Sequence, residues 1–483
     1  MWWTADDTVR VLAPSEQRFV RHATYTGRSV LVEGELDSTA LRSAFDALLR
    51  AHPILGCRIG EDAAGTGHLL RPVGSAVGAW VRAGDTATVG LPEETLDPSV
   101  QLAYLDVVIE NGRSRVTLYA HHAVADAGHC VSLLARLWDR YTDEVSGIAK
   151  DIAPQDYPRP LEWYAARHGI PRSAVSGLES ASRPLEHPPV LPPEPPTPAP
   201  AALARPERTI LEPGTTARIV ELGRRHGVTV NGLITAALLR AYAETAWGQE
   251  DSSPGWSSSR AATPREATPD EPRPGDSAPL RSVYPVGEPR SGESGPLRRV
   301  YPVGEGDSRP RDSAPLRCVY PVDMRARLNP PIAAADGTNM AGLAAFVADV
   351  TTATDVVELA QRISARLRHD LAEGIVQQSV LHFPEFFGPT ATRSLAGHVA
   401  VTNTGRVPRF RTPPGLALTD YEIVYLSAHP RPSAGPSAAV TFLVYTFADR
   451  LCVGVLGGGP LADRLPSAVR RELADLAAVS IDA

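Results

Sequence analysis

The sequence predicts a mixed α/β protein of two domains, and three observations carry that expectation. At 483 residues the chain exceeds what one hydrophobic core ordinarily serves. Both halves interleave short strand-like runs with segments of helical periodicity. Between them, from about 185 to 206, lies a proline-rich stretch that includes Pro188-Pro189-Val190-Leu191-Pro192-Pro193-Glu194-Pro195-Pro196. Such a segment is stiff and extended and holds no core of its own. The expected division is a first domain at 1–185, a crossover at 186–206 and a second domain at 207–483.

In the first half, residues 28–35 read as a strand and 38–51 as an amphipathic helix with Ser38 as its N-cap. Short strands follow near 55–59 and 68–72, and residues 102–109 and 116–122 form two more. Val131, Leu134, Leu137 and Trp138 then recur at helical spacing. The second half opens with a strand at 208–211 and a helix at 215–226, closed by Gly227 as its C′ residue. An apolar helix at 231–247 has leucines that suit a core. Helix 356–373, strands at 397–402, 440–447 and 451–456, and a terminal helix from Ser467 complete the pattern.

Residues 248–314 are unusual. Pro279-Leu280-Arg281-Ser282-Val283-Tyr284-Pro285-Val286 is repeated at Pro296–Val303 and again at Pro315–Val322. Three irregularly spaced copies are too few for a solenoid. Only the third continues into Asp323-Met324-Arg325. We expect the third copy to be the strand and the other two to lie in a disordered surface insertion.

Composition excludes several classes. A net charge of −7 and a pI near 6.0, without a basic run, argue against a nucleic-acid partner. Cys57, Cys130, Cys318 and Cys452 are scattered without metal-ligand spacing and suggest reduced thiols in a cytoplasmic protein. Met1-Trp2-Trp3-Thr4-Ala5-Asp6-Asp7 lacks the basic and apolar regions of a signal peptide. No stretch reaches the ~18–20 apolar residues of a membrane span.

The chemistry concentrates in His121-His122-Ala123-Val124-Ala125-Asp126. If the period-two alternation of Val116-Thr117-Leu118-Tyr119-Ala120 continues, His122 leaves the strand from its apolar face and His121 points the other way. An imidazole shielded on that face stays neutral near pH 7, as a general base requires. The residues alone leave open a structural histidine pair, and a metal site built from His121, His122, Asp126 and His129. A serine hydrolase lacks its G-x-S-x-G elbow.

His-His-x-x-x-Asp followed by glycine is the signature of acyltransferases built like chloramphenicol acetyltransferase. The chain resembles one group of them, the polyketide-associated phthiocerol/phthiodiolone dimycocerosyl transferases, nearly end to end. The resemblance runs through Leu12-Ala13-Pro14-Ser15-Glu16, Phe45-Asp46-Ala47-Leu48-Leu49 with His52-Pro53, and Arg140-Tyr141-Thr142-Asp143. It continues through Val319–Arg325, Pro330-Pro331, Thr338-Asn339-Met340, Gln377-Gln378-Ser379 with Leu381-His382-Phe383, and Arg411-Thr412-Pro413-Pro414-Gly415. One departure is that Ala127 stands directly after the aspartate and the glycine is Gly128. A displaced glycine raises the question of whether the turn survives.

The resemblance implies two chloramphenicol acetyltransferase-like domains forming a pseudo-dimer with an active-site tunnel between them. It implies transfer of an acyl group from a thioester of coenzyme A or an acyl carrier protein to a hydroxyl group of a polyketide, lipid or similar acceptor. His122 would be the catalytic base. Asp126, Gly128 and Arg325 would shape the turn, with Arg325 the partner of Asp126, and Thr402 or Asn403 would serve as oxyanion or substrate contact. Arg362 and Arg366 share a helix face at i,i+4, and Arg368 is the residue expected to dock a carrier protein. No metal and no cofactor beyond the thioester co-substrate are implied, and a monomer is expected. The rival readings are a stand-alone condensation domain that forms an amide, and a binding scaffold with a vestigial motif.

Overall fold

The computed structural model describes residues 3–87, 89, 96–150, 152–183, 202–247, 314–334, 336–393, 395, 397–427 and 440–479. Most of the proline-rich crossover and the first two repeat copies lie outside the described residues. Two six-stranded sheets organise the fold. The first has the strand order Trp80–Ala83, Ala103–Glu110, Arg113–His121, Thr24–Glu33, Ala417–Ser427, Ala202–Ala204. Helices Ser38–Ala51 and Ala127–Val145 pack on each other, and their apolar faces share one core with Val116, Leu118 and Ala120 of the sheet. Thr117 and Tyr119 point to the opposite face, where Tyr119 packs with Tyr25 and Tyr104. The alternation read from the sequence therefore holds, but both faces are buried.

The second sheet runs Ala341–Val350, Ala314–Asp323, Val399–Arg406, Val440–Phe447, Arg450–Gly457, Glu207–Ile210. The third repeat copy is its second strand, paired in register from Ala314 opposite Val350 to Asp323 opposite Ala341. Helix Val230–Trp247 is buried on nearly all sides and lies against Val356–Ala372 and Leu465–Ala478. Helix Pro213–Arg225 ends as expected, with Gly227 at φ +63°. A small third sheet joins Thr8–Val11, Gly67–Leu70 and Arg58–Glu61.

Some local expectations need correction. The cap of helix Ser38–Ala51 is Asp37, whose carboxylate accepts from the N–H of Thr39 and Ala40. Strand Ala202–Ala204 occupies the end of what reads in sequence as linker. The largest departure is strand Ala417–Ser427, which follows residue 207 in the chain but pairs along its length with Thr24–Glu33 in the first sheet. The chain therefore passes between the sheets three times, at 204–207, between 406 and 417, and between 427 and 440.

A buried charge cluster holds this exchanged strand. Glu422 has no solvent exposure, and its carboxylate accepts from Arg115 at 2.7 Å and from Nε of Arg205 at 2.9 Å. Arg208, on the edge strand of the second sheet, binds Asp420 with both terminal nitrogens at 2.9 and 3.0 Å. Neutralising a buried carboxylate among arginines strands their charge. Glu422→Gln should therefore lower the unfolding free energy by about 3–5 kcal/mol, read by urea denaturation. A loss below about 1 kcal/mol would show that the strand is held by its backbone ladder alone.

Candidate active site

The motif sits where strand Arg113–His121 hands over to helix Ala127–Val145. The N–H of His122 still donates to the carbonyl of Thr24 at 2.7 Å, and the N–H of Val124 turns back to His121 at 3.0 Å. Ala123, Val124 and Ala125 are fully buried, so the turn is fixed from beneath by the core. Asp126 then caps the helix, its Oδ1 accepting from the N–H of His129 at 2.9 Å. Ala127 and Gly128 are the first helical residues. Neither has positive φ, so the displaced glycine leaves the turn intact. A Cβ at Gly128 would meet only ordinary contacts at 3.7 and 4.0 Å.

The second oxygen of Asp126 reaches across to residues about two hundred positions away. Its Oδ2 accepts from Nη1 of Arg325 at 2.7 Å and from the N–H of Met340 at 2.9 Å. Arg325 follows the end of strand Ala314–Asp323 and also donates to Asp323 at 3.2 Å. Burial alone would raise the Asp126 carboxyl; Arg325 and the two backbone donors outweigh it and hold it below the usual range. Asp126 is engaged on both oxygens by protein donors.

His122 lines a cavity of about 1010 Å³. The cavity takes one wall from the second sheet, through Val319, Pro321, Asp323, Ala400, Thr402 and Thr404, which alternate at period two. Residues 17–22, the motif turn and the 386–395 segment contribute to the other walls, with Asn339, Leu343 and Tyr425. The imidazole stacks on Phe19 with centroids 4.0 Å apart and planes 7° apart. Nδ2 of Asn339 donates to the His122 carbonyl at 3.2 Å and lies 3.3 Å from Nδ1. Burial, aided by the Arg18 guanidinium and then by Arg28, lowers His122 to about 3, against the opposing pull of the ring's bond to its own backbone and of Asp126. The ring is therefore neutral at physiological pH.

His121 points away. It is fully buried, meets Tyr25 edge-on with centroids 5.0 Å apart, and Nδ1 accepts from the N–H of Ala123 at 3.3 Å. His129 is buried on the helix at 1% exposure, with Asp126 turned to Arg325. The four residues that a metal reading would use are thus divided among separate surroundings. Among the described residues, no three His, Cys, Asp or Glu side chains gather as a metal site.

Thr402 and Asn403 do line the cavity. The Asn403 amide is already used, donating to Oδ1 of Asn231 at 3.0 Å and accepting from the N–H of Gly405 at 2.7 Å. Arg368 lies outside the cavity, exposed on helix Val356–Ala372, with Nε on the carbonyl of Ser364 at 3.2 Å. Arg366 on that helix is paired with buried Asp370, and Arg362 is exposed. Sequence reasoning missed the contacts of Arg18, Phe19 and Asn339 with the motif. Asn339 was visible only as part of Thr338-Asn339-Met340.

A family model described as the C-terminus of phthiocerol/phthiodiolone dimycocerosyl transferase matches residues 200–254 and 304–456. The chain is 31% identical over 425 residues to the phthiocerol/phthiodiolone dimycocerosyl transferase of Mycobacterium tuberculosis (strain ATCC 25618 / H37Rv), covering 85% of each protein. It is 31% identical over 433 residues to that of Mycobacterium leprae, covering 86% of each. Among solved structures, polyketide synthase associated protein 5 from Mycobacterium tuberculosis is similar at a TM-score of 0.70 and 26% identity, over 98% of this chain and 99% of that one. A trichothecene 15-O-acetyltransferase from Fusarium sporotrichioides shares the fold at 0.58 and 12% identity, over 99% and 97%. The architecture is the two-halved pseudo-dimer of condensation domains and acetyltransferase-like enzymes.

Replacing Asp126 by Asn keeps the shape but removes the charge facing Arg325. Thermal and urea unfolding of Asp126→Asn should show a loss of about 3 kcal/mol, because Asp323 only partly compensates a buried guanidinium. Activity should fall with it. Unchanged stability with abolished turnover would instead give Asp126 a direct part in the chemistry.

Proposed function

The chain belongs to the phthiocerol/phthiodiolone dimycocerosyl transferase family and is an acyltransferase, and from that premise we propose that it forms an O-ester from an acyl thioester and an alcohol, with His122 as the general base. The observation that carries this reading is a neutral imidazole on the wall of a large cavity, flanked by a carboxylate that is fully occupied elsewhere. The cavity walls include Phe19, Leu343, Phe386, Phe387 and Leu456, which suits an acyl chain and a lipid-like or polyketide alcohol.

In this mechanism the Nδ1–H of His122 is directed at its own carbonyl, leaving the Nε2 lone pair for the substrate. Nε2 takes the hydroxyl proton as the alcohol oxygen attacks the thioester carbonyl. The C–O bond forms and a tetrahedral oxyanion results. Its collapse breaks the C–S bond, and the departing thiolate takes the proton back from the imidazolium, giving ester and free thiol. Thr402 is the proposed oxyanion contact, in preference to Asn403 whose amide is occupied. Asp126, Gly128 and Arg325 act only through the turn.

The donor is an acyl carrier protein or coenzyme A, and no other cofactor enters the scheme. Arg368, exposed and free of any ion pair among the described residues, is proposed as a carrier-protein contact. We place the enzyme in the cytoplasm as a monomer. Four buried, unpaired cysteines and the lack, among the described residues, of a helix long and apolar enough to cross a membrane support that placement.

With decanoyl-coenzyme A and dodecan-1-ol as probes, His122→Ala should lose about 10²–10⁴-fold in alcohol-dependent thiol release. The variant should retain its thermal stability, since the ring borders a cavity. Near-normal turnover would remove His122 as base. An amine probe outpacing the alcohol would favour amide formation.

A further inference from the structure

Arg18 is a cation of the cavity wall that the reaction scheme leaves unused. Its guanidinium has no ion-pair partner among the described residues, and Glu162, Asp126 and Tyr425 act on it only at longer range. It lies 4.5 Å from the ring centroid of Phe19, 5.9 Å from that of Phe383 and 5.6 Å from that of Phe387. A cation held among aromatic faces keeps its position without a carboxylate. Its one hydrogen bond among the described residues runs from Nη2 to Oδ1 of Asn339 at 3.1 Å.

That bond settles which way round the Asn339 amide sits. A guanidinium only donates, so it must face the amide oxygen. The N–H of Ala341, also a donor, points to the same oxygen at 3.4 Å. The amide nitrogen is then turned to His122, where it donates to the backbone carbonyl at 3.2 Å and sits 3.3 Å from Nδ1. With the amide reversed, its oxygen would face that carbonyl oxygen and repel it. Phe19, which touches the guanidinium, also stacks on the imidazole, so Arg18 bears on the ring by two routes.

We propose that Arg18 is a positioning residue for acyl transfer, acting through Asn339 to fix the orientation of His122. The inference rests on His122 being the base. A correctly placed base nitrogen contributes to the chemical step rather than to substrate affinity. The charge has a second effect of known sign. The charged and titratable groups around His122 are Arg18 before the motif, Arg28 on strand Thr24–Glu33, His121, Asp126 at the helix cap and Tyr425 on the exchanged strand. Arg18 and Arg28 disfavour the imidazolium and Asp126 favours it. Removing Arg18 therefore raises the pKa of His122 and moves the acid limb of the rate profile to higher pH.

The test uses the full chain with decanoyl-coenzyme A and dodecan-1-ol, comparing Arg18→Met and Arg18→Gln with wild type. Arg18→Met should lower kcat by about tenfold or more, leave both KM values within about twofold, and shift the acid limb of kcat/KM upward. Arg18→Gln keeps a donor for Asn339 but no charge. It should recover most of kcat while keeping the shifted limb, and it carries the test if Arg18→Met does not fold. A rise in KM alone, or wild-type kcat with an unmoved limb in either variant, would overturn the proposal. If His122→Ala is inactive and Arg18→Met behaves as wild type, only the role of Arg18 fails; an active His122→Ala removes the underlying reading.

Discussion

The contact between Asp126 and Arg325 is the constraint on which the site depends. One carboxylate caps the motif helix with one oxygen and, with the other, takes a guanidinium and the N–H of Met340 from the second half of the chain. The turn that aims His122 is therefore defined jointly by both sheets. The geometry also explains why Ala127 is tolerated after the aspartate. The position is the first turn of a helix, where alanine is favourable, and no left-handed backbone is needed.

The same layering sets the electrostatics. His121, His122 and His129 are lowered to about 3, 3 and 4, in each case chiefly by burial, so the region around the motif is built to keep imidazoles neutral. Of these three, His122 alone lines the cavity. Charge is admitted where it is countered, as at Asp126 and in the Glu422 cluster. Arg18 departs from that pattern, caged by phenyl rings and bonded to an amide rather than a carboxylate. A base lowered this far relies on its surroundings to stabilise the imidazolium once formed. The adjacent oxyanion and Asp126 supply that stabilisation in the proposed mechanism.

Elements with clean periodicity were legible in the sequence. The motif strand, both helices flanking the first sheet and the apolar helix Val230–Trp247 lie where alternation or helical spacing placed them, and the third repeat copy is the strand expected from its continuation into Asp323-Met324-Arg325. Strand Ala417–Ser427 was not legible, because Asp420 and Glu422 interrupt its apolar pattern. The arginines that make those charges acceptable come from positions 115, 205 and 208. Strand Ala341–Val350 was obscured by its alanines and glycine, which carry weak strand preference. Within the site, His122 and Asp126 were readable because they share one local motif. Asn339 and Arg18 were not, since their contacts span 217 and 321 positions and no local pattern encodes them.

The joint definition of the site by both halves can be measured through a double-mutant cycle between Asp126→Asn and Arg325→Gln, read as unfolding free energies in urea. Each single change leaves a buried polar group without its partner, whereas the double change removes both at once. A coupling energy of about 2 kcal/mol or more, with the double variant no less stable than the worse single one, is the result expected of a buried pair that spans the two sheets. Losses that simply add, within about 0.5 kcal/mol, would contradict it and leave the motif turn to be set by the first half alone.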